Sequence, residues 1–224
     1  MRQHLGAAVA LSLAASMAMT TIAAAPSVEA SSDAAWKAYR RGDYVSAFAS
    51  YEAAAEKGDR LAQFNVAMML LRGEGKPADI AGGIAWLNRA ANAGMAQAQY
   101  EMGVVAENGI GMPRSLTEAT AWWQKAAEQG HTESQVEMGT AYFLGRGAPK
   151  DWKVAAKWYE AAANGGDVGA QYIIASFYEH GDGVPQDLKR ALDWYMQAAQ
   201  QGDVGAAVQA KDVARRLAES GRAK

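Results

Sequence analysis

The segment Gly181-Asp182-Gly183-Val184-Pro185-Gln186-Asp187 has the form of a glycine-rich loop that opens a helix, where backbone amides could close on a phosphate. Three other sets of residues could also do chemistry. His131 and His180 are the two histidines beyond the first thirty residues, and an imidazole can serve as a metal ligand or a general base. Glu133 and Glu137, four residues apart, could share a helix face and present a pair of carboxylates. Trp86, Trp122, Trp158 and Trp194 could stack against sugar rings. Each set also has a plain structural reading, and the organisation of the chain decides between the two.

The loop is not unique. A Gly-x-Gly pair stands at Gly73/Gly75, Gly109/Gly111, Gly145/Gly147 and Gly181/Gly183, each 36 residues after the last, with proline two residues later at Pro77, Pro113, Pro149 and Pro185. The same interval relates the four tryptophans, the Ala-Ala pairs beginning at Ala90, Ala126, Ala162 and Ala198, and the glycines Gly58, Gly94, Gly130, Gly166 and Gly202. A fixed period of this length marks an array of like units. A phosphate loop is built once per nucleotide site and follows a strand, and no strand pattern precedes these loops, so the recurring loop reads as the turn that each unit needs.

Within a unit the period is helical. Ala62, Val66 and Leu70, then Ala98, Met102 and Ala106, Met138 and Tyr142, and Ala170, Ile174 and Tyr178 place small and apolar residues every four positions on one face of a first helix. The first glycine of each loop suits the left-handed residue that stops this helix. Asp79, Ser115, Asp151 and Asp187 follow each proline by two residues, where a side-chain oxygen can cap a second helix, and Ser115-Leu116-Thr117-Glu118 reads as a capping box. Gly83, Ala119, Ala155 and Ala191 keep one turn of the second helix slim for a close neighbour. A hairpin of this size cannot bury its own apolar face, so the units must stack into a solenoid.

This pattern, as in Ala170-Gln171-Tyr172, Gly181-Asp182-Gly183-Val184, Asp187, Ala191, Trp194-Tyr195, Ala198-Ala199 and Gly202, resembles the Sel1-like repeat, a relative of the tetratricopeptide repeat. The resemblance implies an all-α fold, a right-handed α-solenoid of stacked helical hairpins, with four 36-residue repeats over 61–205. Ser115 replaces aspartate in the second unit, and Lys76 and Ala148 stand where valine is usual. Residues 31–60, with Arg40-Arg41-Gly42-Asp43-Tyr44 as a tight turn, resemble a tetratricopeptide-type capping hairpin. Residues 206–224 read as a closing helix and tail whose Lys211, Arg215 and Arg216 face water.

The first thirty residues differ from the array. Arg2 precedes an uncharged run from Leu5 to Met19, and small residues follow at Ala23, Ala24, Ala25 and Ala30, the pattern of a secretory signal peptide over 1–30 with cleavage between 23 and 30. The run is too short to span a bilayer comfortably. A periplasmic or secreted location is therefore expected, with no membrane insertion after cleavage. The formal charge of -2 over 224 residues supplies no field that would draw nucleic acid. No cysteine is present, which removes disulfides, thiolate nucleophiles and cysteine-based zinc sites, together with the lipidated cysteine of a lipoprotein.

The array holds no Gly-x-Ser-x-Gly, Ser-x-x-Lys or phosphate-loop motif, and the two histidines fall in different units, so no catalytic, metal or cofactor site is expected. The tryptophan spacing favours core packing, and on that placement Trp158→Ala should cost about 3–5 kcal/mol. What remains is surface. The face of the first helices opposite the inward stripe carries Phe64, Met68 and Leu71, Tyr100 and Val104, Val136, Thr140 and Phe143, then Tyr172 and Ser176. In tetratricopeptide-like solenoids this face lines a concave groove, which suits a helix or extended peptide; the same residues could instead pack against the neighbouring hairpin. The expected function is a monomeric, non-enzymatic protein–protein interaction adaptor of the bacterial cell envelope. The resemblance implies roles as a scaffold, or as a regulator of envelope signalling or surface polysaccharide. Two alternatives come from other classes: a cell-wall or β-lactam hydrolase, an activity described for some cysteine-rich members of the family, and an envelope-glycan binding protein.

Overall fold

The computed structural model describes residues 26–222, with side chains described over 33–220. The expected leader lies outside the described residues as far as residue 25. Among the described residues there are eleven helices and no strand: α1 (Pro26–Arg40), α2 (Tyr44–Ala55), α3 (Arg60–Arg72), α4 (Ile80–Asn92), α5 (Ala96–Asn108), α6 (Leu116–Glu128), α7 (Thr132–Leu144), α8 (Trp152–Asn164), α9 (Val168–His180), α10 (Leu188–Gln200) and α11 (Val204–Arg222). The fold is the all-α solenoid type that the repeats require. The first helix is described from Pro26, five residues before the expected start of the capping hairpin. No helix among the described residues is long and apolar enough to cross a membrane.

The turn inside each hairpin is set by its glycines. Gly73, Gly145 and Gly181 cap α3, α7 and α9 in the left-handed conformation, at φ of 73, 72 and 83°. The second glycine is required by proximity as well as by angle. A Cβ on Gly183, at φ 68°, would lie 2.2 Å from the carbonyl oxygen of Trp152, and one on Gly147 would lie 2.3 Å from that of Leu116. Each loop is therefore seated on the start of the preceding second helix. Three of the loop's amides are engaged within the turn: Gly181 and Asp182 donate to the Phe177 carbonyl and Asp187 donates to that of Tyr178. The Gly-x-Gly element turns the chain.

Capping follows the sequence. Asp79, Ser115, Asp151 and Asp187 accept hydrogen bonds from backbone amides in the first turns of α4, α6, α8 and α10. A second set, Asp59, Asp167 and Asp203, caps α3, α9 and α11, and His131 takes that place on α7. A further ladder joins successive hairpins: the buried amides of Gln63, Gln99, Gln135 and Gln171 donate to the carbonyls of Ala55, Ala91, Ala127 and Ala163 at 3.0–3.2 Å. These carbonyls close second helices and each also accepts from a glycine amide of the turn, Gly58, Gly94, Gly130 or Gly166, so the glutamine supplies a second bond that ties one hairpin to the next.

The described chain forms two compact units. One runs to Met102 and includes Ile110–Met112; the other comprises Gly103–Gly109 and continues from Pro113. In the first, Phe48, Tyr51, Val66 and Met69 pack with Ala35, Ala47 and Ala62. In the second, Tyr159, Ile174, Phe177, Tyr178, Tyr195 and Val213 form the core with a row of alanines. The inward stripe holds, with Ala62, Val66, Leu70, Ala98, Met102, Ala106, Met138, Ala170, Ile174 and Tyr178 buried, except at Tyr142, which is only partly buried.

The aromatic placement needs correction. The centre of each unit is filled by the residue after the repeated tryptophan: Leu87, Trp123, Tyr159 and Tyr195 are 0, 3, 3 and 1% exposed. Trp86, Trp158 and Trp194 are only partly buried. The reason lies on the first helix, which opens a slot for that next ring. A Cβ on Gly103 would lie 2.2 Å from the Trp123 indole nitrogen, and one on Gly139 would lie 2.8 Å from the Tyr159 ring. Trp122 alone of the four is buried as expected, with Lys125 over its ring at 3.9 Å, whereas Trp86, Trp158 and Trp194 sit at the rim, Trp86 covered by Arg89 at 4.4 Å. Arg216 is corrected as well: it turns inward to pair with the buried Glu179 instead of facing water.

Candidate functional site

The first-helix face divides between the two units, and the structure treats the halves differently. In the first unit, α3 is buried at ten consecutive positions from Ala62 to Leu71. Phe64, Met68 and Leu71, expected to line a groove, are 1, 2 and 8% exposed. Gln63 and Asn65 are buried with the apolar residues of this helix, and Leu71 packs directly into the gap at Gly83, where an added Cβ would meet its side chain at 2.8 Å. These three residues are core. Tyr100 stays partly buried, and next to it Glu101 is buried, with its carboxyl pushed up to about 7 by loss of solvent and held back in part by the Gln97 amide and the Arg72 charge.

In the second unit the face remains accessible. Val104, Val136, Thr140, Phe143, Tyr172 and Ser176 are all partly buried, and Leu144 is 49% exposed. Several of them do two jobs. Val136, Phe143 and Tyr172 pack against the core of this unit. Phe143 lies 5.3 Å from the Trp152 ring and 5.7 Å from Phe177, so its ring serves mainly to join hairpins. Tyr172 meets Tyr195 edge-on at 5.3 Å, and Thr140 exchanges a hydrogen bond with the Tyr159 hydroxyl at 3.0 Å. The neighbour-packing reading thus holds for Phe143, while Val136, Thr140, Tyr172, Ser176 and Leu144 leave atoms at the surface.

Charge enters this face between α5 and α7. Glu107 pairs with Arg146 at 3.4 Å, and Glu137 lies beside them. The Glu137 carboxyl is raised above its usual value by burial and by the nearby Glu107 charge, against the opposing effect of Arg146. Glu133, four residues earlier, is 67% exposed at its side chain, so the two glutamates do not form a catalytic carboxylate pair. His131 caps α7: Nδ1 accepts from the Ser134 amide at 3.3 Å, which requires that nitrogen to be unprotonated. Burial lowers the His131 pKa to match, with Glu133 pulling the other way. His180 ends α9 and bonds the Ser176 carbonyl through Nδ1 at 2.9 Å. Both histidines have structural work, as does the tyrosine-rich interior. Tyr195 donates to Glu179 at 2.9 Å and Tyr178 to Glu160 at 3.0 Å.

Two features escaped the reading of the sequence. The glutamine ladder recurs every 36 residues and was visible in principle as a polar position embedded in an apolar stripe. Leu144 replaces the polar residues that stand at the equivalent places, Arg72, Asn108 and His180, and that break in the pattern marks it as surface not required by the repeat.

With this geometry, the comparisons with known proteins agree. The Sel1 repeat pattern matches residues 60–95, 96–131, 132–167 and 168–203. A protective antigen of uropathogenic Escherichia coli strains that displays an SLR fold is 32% identical, with a TM-score of 0.76, over 82% of this chain and 40% of that chain. A Sel1 repeat protein from Oxalobacter formigenes is 34% identical, with a TM-score of 0.72, over 76% of this chain and 50% of that one. The chain thus spans half or less of the length of these two proteins. An immunity protein, Pa5087 of Pseudomonas aeruginosa, shares the fold at 23% identity and a TM-score of 0.50, over 83% and 70% of the two chains. No curated protein matches the chain.

Proposed function

This chain belongs to the Sel1 repeat family, whose members mediate protein–protein interaction, and from that premise we propose that it is a non-enzymatic, monomeric adaptor of the bacterial cell envelope. It holds a segment of another protein against the first helices of its second unit, α7 and α9. The observation that carries this reading is the accessible strip of Val136, Thr140, Leu144, Tyr172 and Ser176, with Leu144 half exposed where the repeat does not call for an apolar residue. Such surface gains free energy when covered, at about 25 cal/mol per Å2 of apolar area, and the carboxylates of Glu107 and Glu137 at its edge give it polarity for orienting the segment. The envelope location rests on the secretory pattern of residues 1–30, and a role in envelope signalling or surface polysaccharide on the family resemblance.

The test is affinity capture of the mature chain from envelope extract, beside a Val136→Ser/Leu144→Ser/Tyr172→Ser variant shown by circular dichroism to be folded. A single protein recovered by wild type and lost by the variant supports the adaptor. Equal recovery by both places binding elsewhere and overturns this face. A second reading, an envelope glycan, draws on the rim position of Trp158 and Trp194, which are only partly buried. Quenching of tryptophan fluorescence by envelope oligosaccharides would favour it over the peptide segment.

A further inference from the structure

Glu137 is a carboxylate that the repeat does not call for. It stands on α7 beside Val136, one helical turn from Glu133 and two from Leu144. The corresponding places at the 36-residue interval hold Asn65, Glu101 and Ile173. Of these, Glu101 is closed off at 2% exposed and takes a hydrogen bond from Gln97 at 3.2 Å. Glu137 is only partly buried, and among the described residues it has no hydrogen bond or ion pair.

The charges around it are committed elsewhere. Arg146, from the loop after α7, pairs with Glu107 of α5 at 3.4 Å. On α7 itself, Glu133 stands in solvent and lies 3.6 Å from His131. Helix α8 brings the Tyr159 hydroxyl, engaged with Thr140 at 3.0 Å, and His180 of α9 is turned to the Ser176 carbonyl. Glu107 and Glu137 thus share one guanidinium, and Glu133 adds to the negative excess. Burial and the Glu107 charge both raise the Glu137 carboxyl above its usual value, with Arg146 opposing. The charge at this position therefore works against folding, because a neutral residue would escape both penalties. A charge kept at that cost, on an accessible apolar face and with no bond inside the chain, is placed for a ligand.

We propose that the protein segment held by α7 and α9 is basic: a lysine or arginine of the segment pairs with Glu137, while apolar side chains next to it cover Val136 and Leu144. This rests on the adaptor reading of that face and names the chemistry of its partner. A lysine or arginine suits the place because its aliphatic stem can lie along Val136 and Leu144 while its charged head reaches the carboxylate. The pairing fixes the register of a segment that apolar contact alone would allow to slide. It also discriminates, since an acidic segment would meet Glu107, Glu133 and Glu137 together.

The probe is a library of random peptides, about twelve residues long, displayed on phage and selected on the full chain and on Glu137→Gln, Glu137→Lys and Leu144→Ser. Peptides enriched on wild type should carry a lysine or arginine next to apolar residues. Glu137→Gln should lose the basic preference and keep the apolar one, and Glu137→Lys should exchange it for aspartate or glutamate. For the strongest wild-type binder, read by fluorescence anisotropy, Glu137→Gln should weaken affinity about tenfold. Replacing the basic residue of that peptide by norleucine should erase the difference between the two proteins. Glu137→Gln should melt no lower than wild type, which separates lost recognition from lost folding. A basic preference that survives Glu137→Gln, an affinity that this variant leaves unchanged, or a lower melting temperature for it overturns the proposal. An apolar consensus that depends on Leu144 but carries no basic residue overturns it and spares the adaptor face. A consensus indifferent to Leu144→Ser, or no enrichment on wild type, overturns both.

Discussion

Tyr159 shows how one side chain fixes a hairpin in place. Its ring lies on Gly139, its hydroxyl meets Thr140, and Phe177 of the next hairpin meets it edge-on at 5.8 Å. Removal of a ring so enclosed leaves a cavity that neighbours cannot fill, so Tyr159→Ala should cost about 3–5 kcal/mol. Trp158→Ala should cost less, about 2 kcal/mol, because that ring already keeps part of its hydration at the rim. Chemical denaturation of the two variants checks the order, and equal midpoints would refute it. His131 gives a prediction in pH. Its folded pKa is depressed below the ordinary 6.5 by burial, so the unfolded chain binds more protons just below that value, and the stability present above it is lost as pH falls through the folded pKa. His131→Asn keeps a cap oxygen without a titrating ring. Melting temperature should therefore fall less for His131→Asn than for wild type between pH 7 and 5; parallel curves would show that folding leaves the pKa of the ring unchanged and contradict the depression.

The turn between helices carries the same logic at the next scale. Gly183 and Gly130 both have positive φ, 68 and 86°, but only Gly183 is also crowded, with the Trp152 carbonyl 2.2 Å from an added Cβ. Gly130 has open space around that position. Gly130→Ala should thus cost only the left-handed strain, about 1–2 kcal/mol. Gly183→Ala adds a backbone clash and should cost several kcal/mol, or displace the loop from α8. Thermal melts of the pair decide this, and similar losses would mean that conformation alone explains the Gly-x-Gly element. The glycines, prolines and caps of these turns were legible in the sequence because each answers a local backbone requirement. Burial of the tryptophans was not, since the slot at Gly103 and Gly139 belongs to a different helix from the ring it receives. A position one residue along a helix turns by about 100°, enough to exchange centre for rim.

At the scale of the whole molecule, the repeat gave the fold from its period alone, because units of this size are stable only when stacked. The binding face was legible by half. Tyr172, Ser176, Val136 and Thr140 do reach the surface, whereas Phe64, Met68 and Leu71 belong to a helix buried on every side, which a period of four cannot reveal. Glutamines at 63, 99, 135 and 171 were not legible because a polar residue inside an apolar stripe shows no purpose until the carbonyl of the preceding hairpin that it bonds is seen. The proposed scaffold role rests on the family, and the accessible residues of α7 and α9 are the surface proposed to serve it. The most direct measurement is site-specific photocrosslinking in cells, with benzophenone placed at Leu144 and at Ser176 and, as the contrast, at the exposed Lys157 and Gln124 on second helices. The account requires one shared protein adduct from Leu144 and Ser176 that is missing from Lys157 and Gln124. Adducts confined to the second helices, or identical from all four positions, would contradict it.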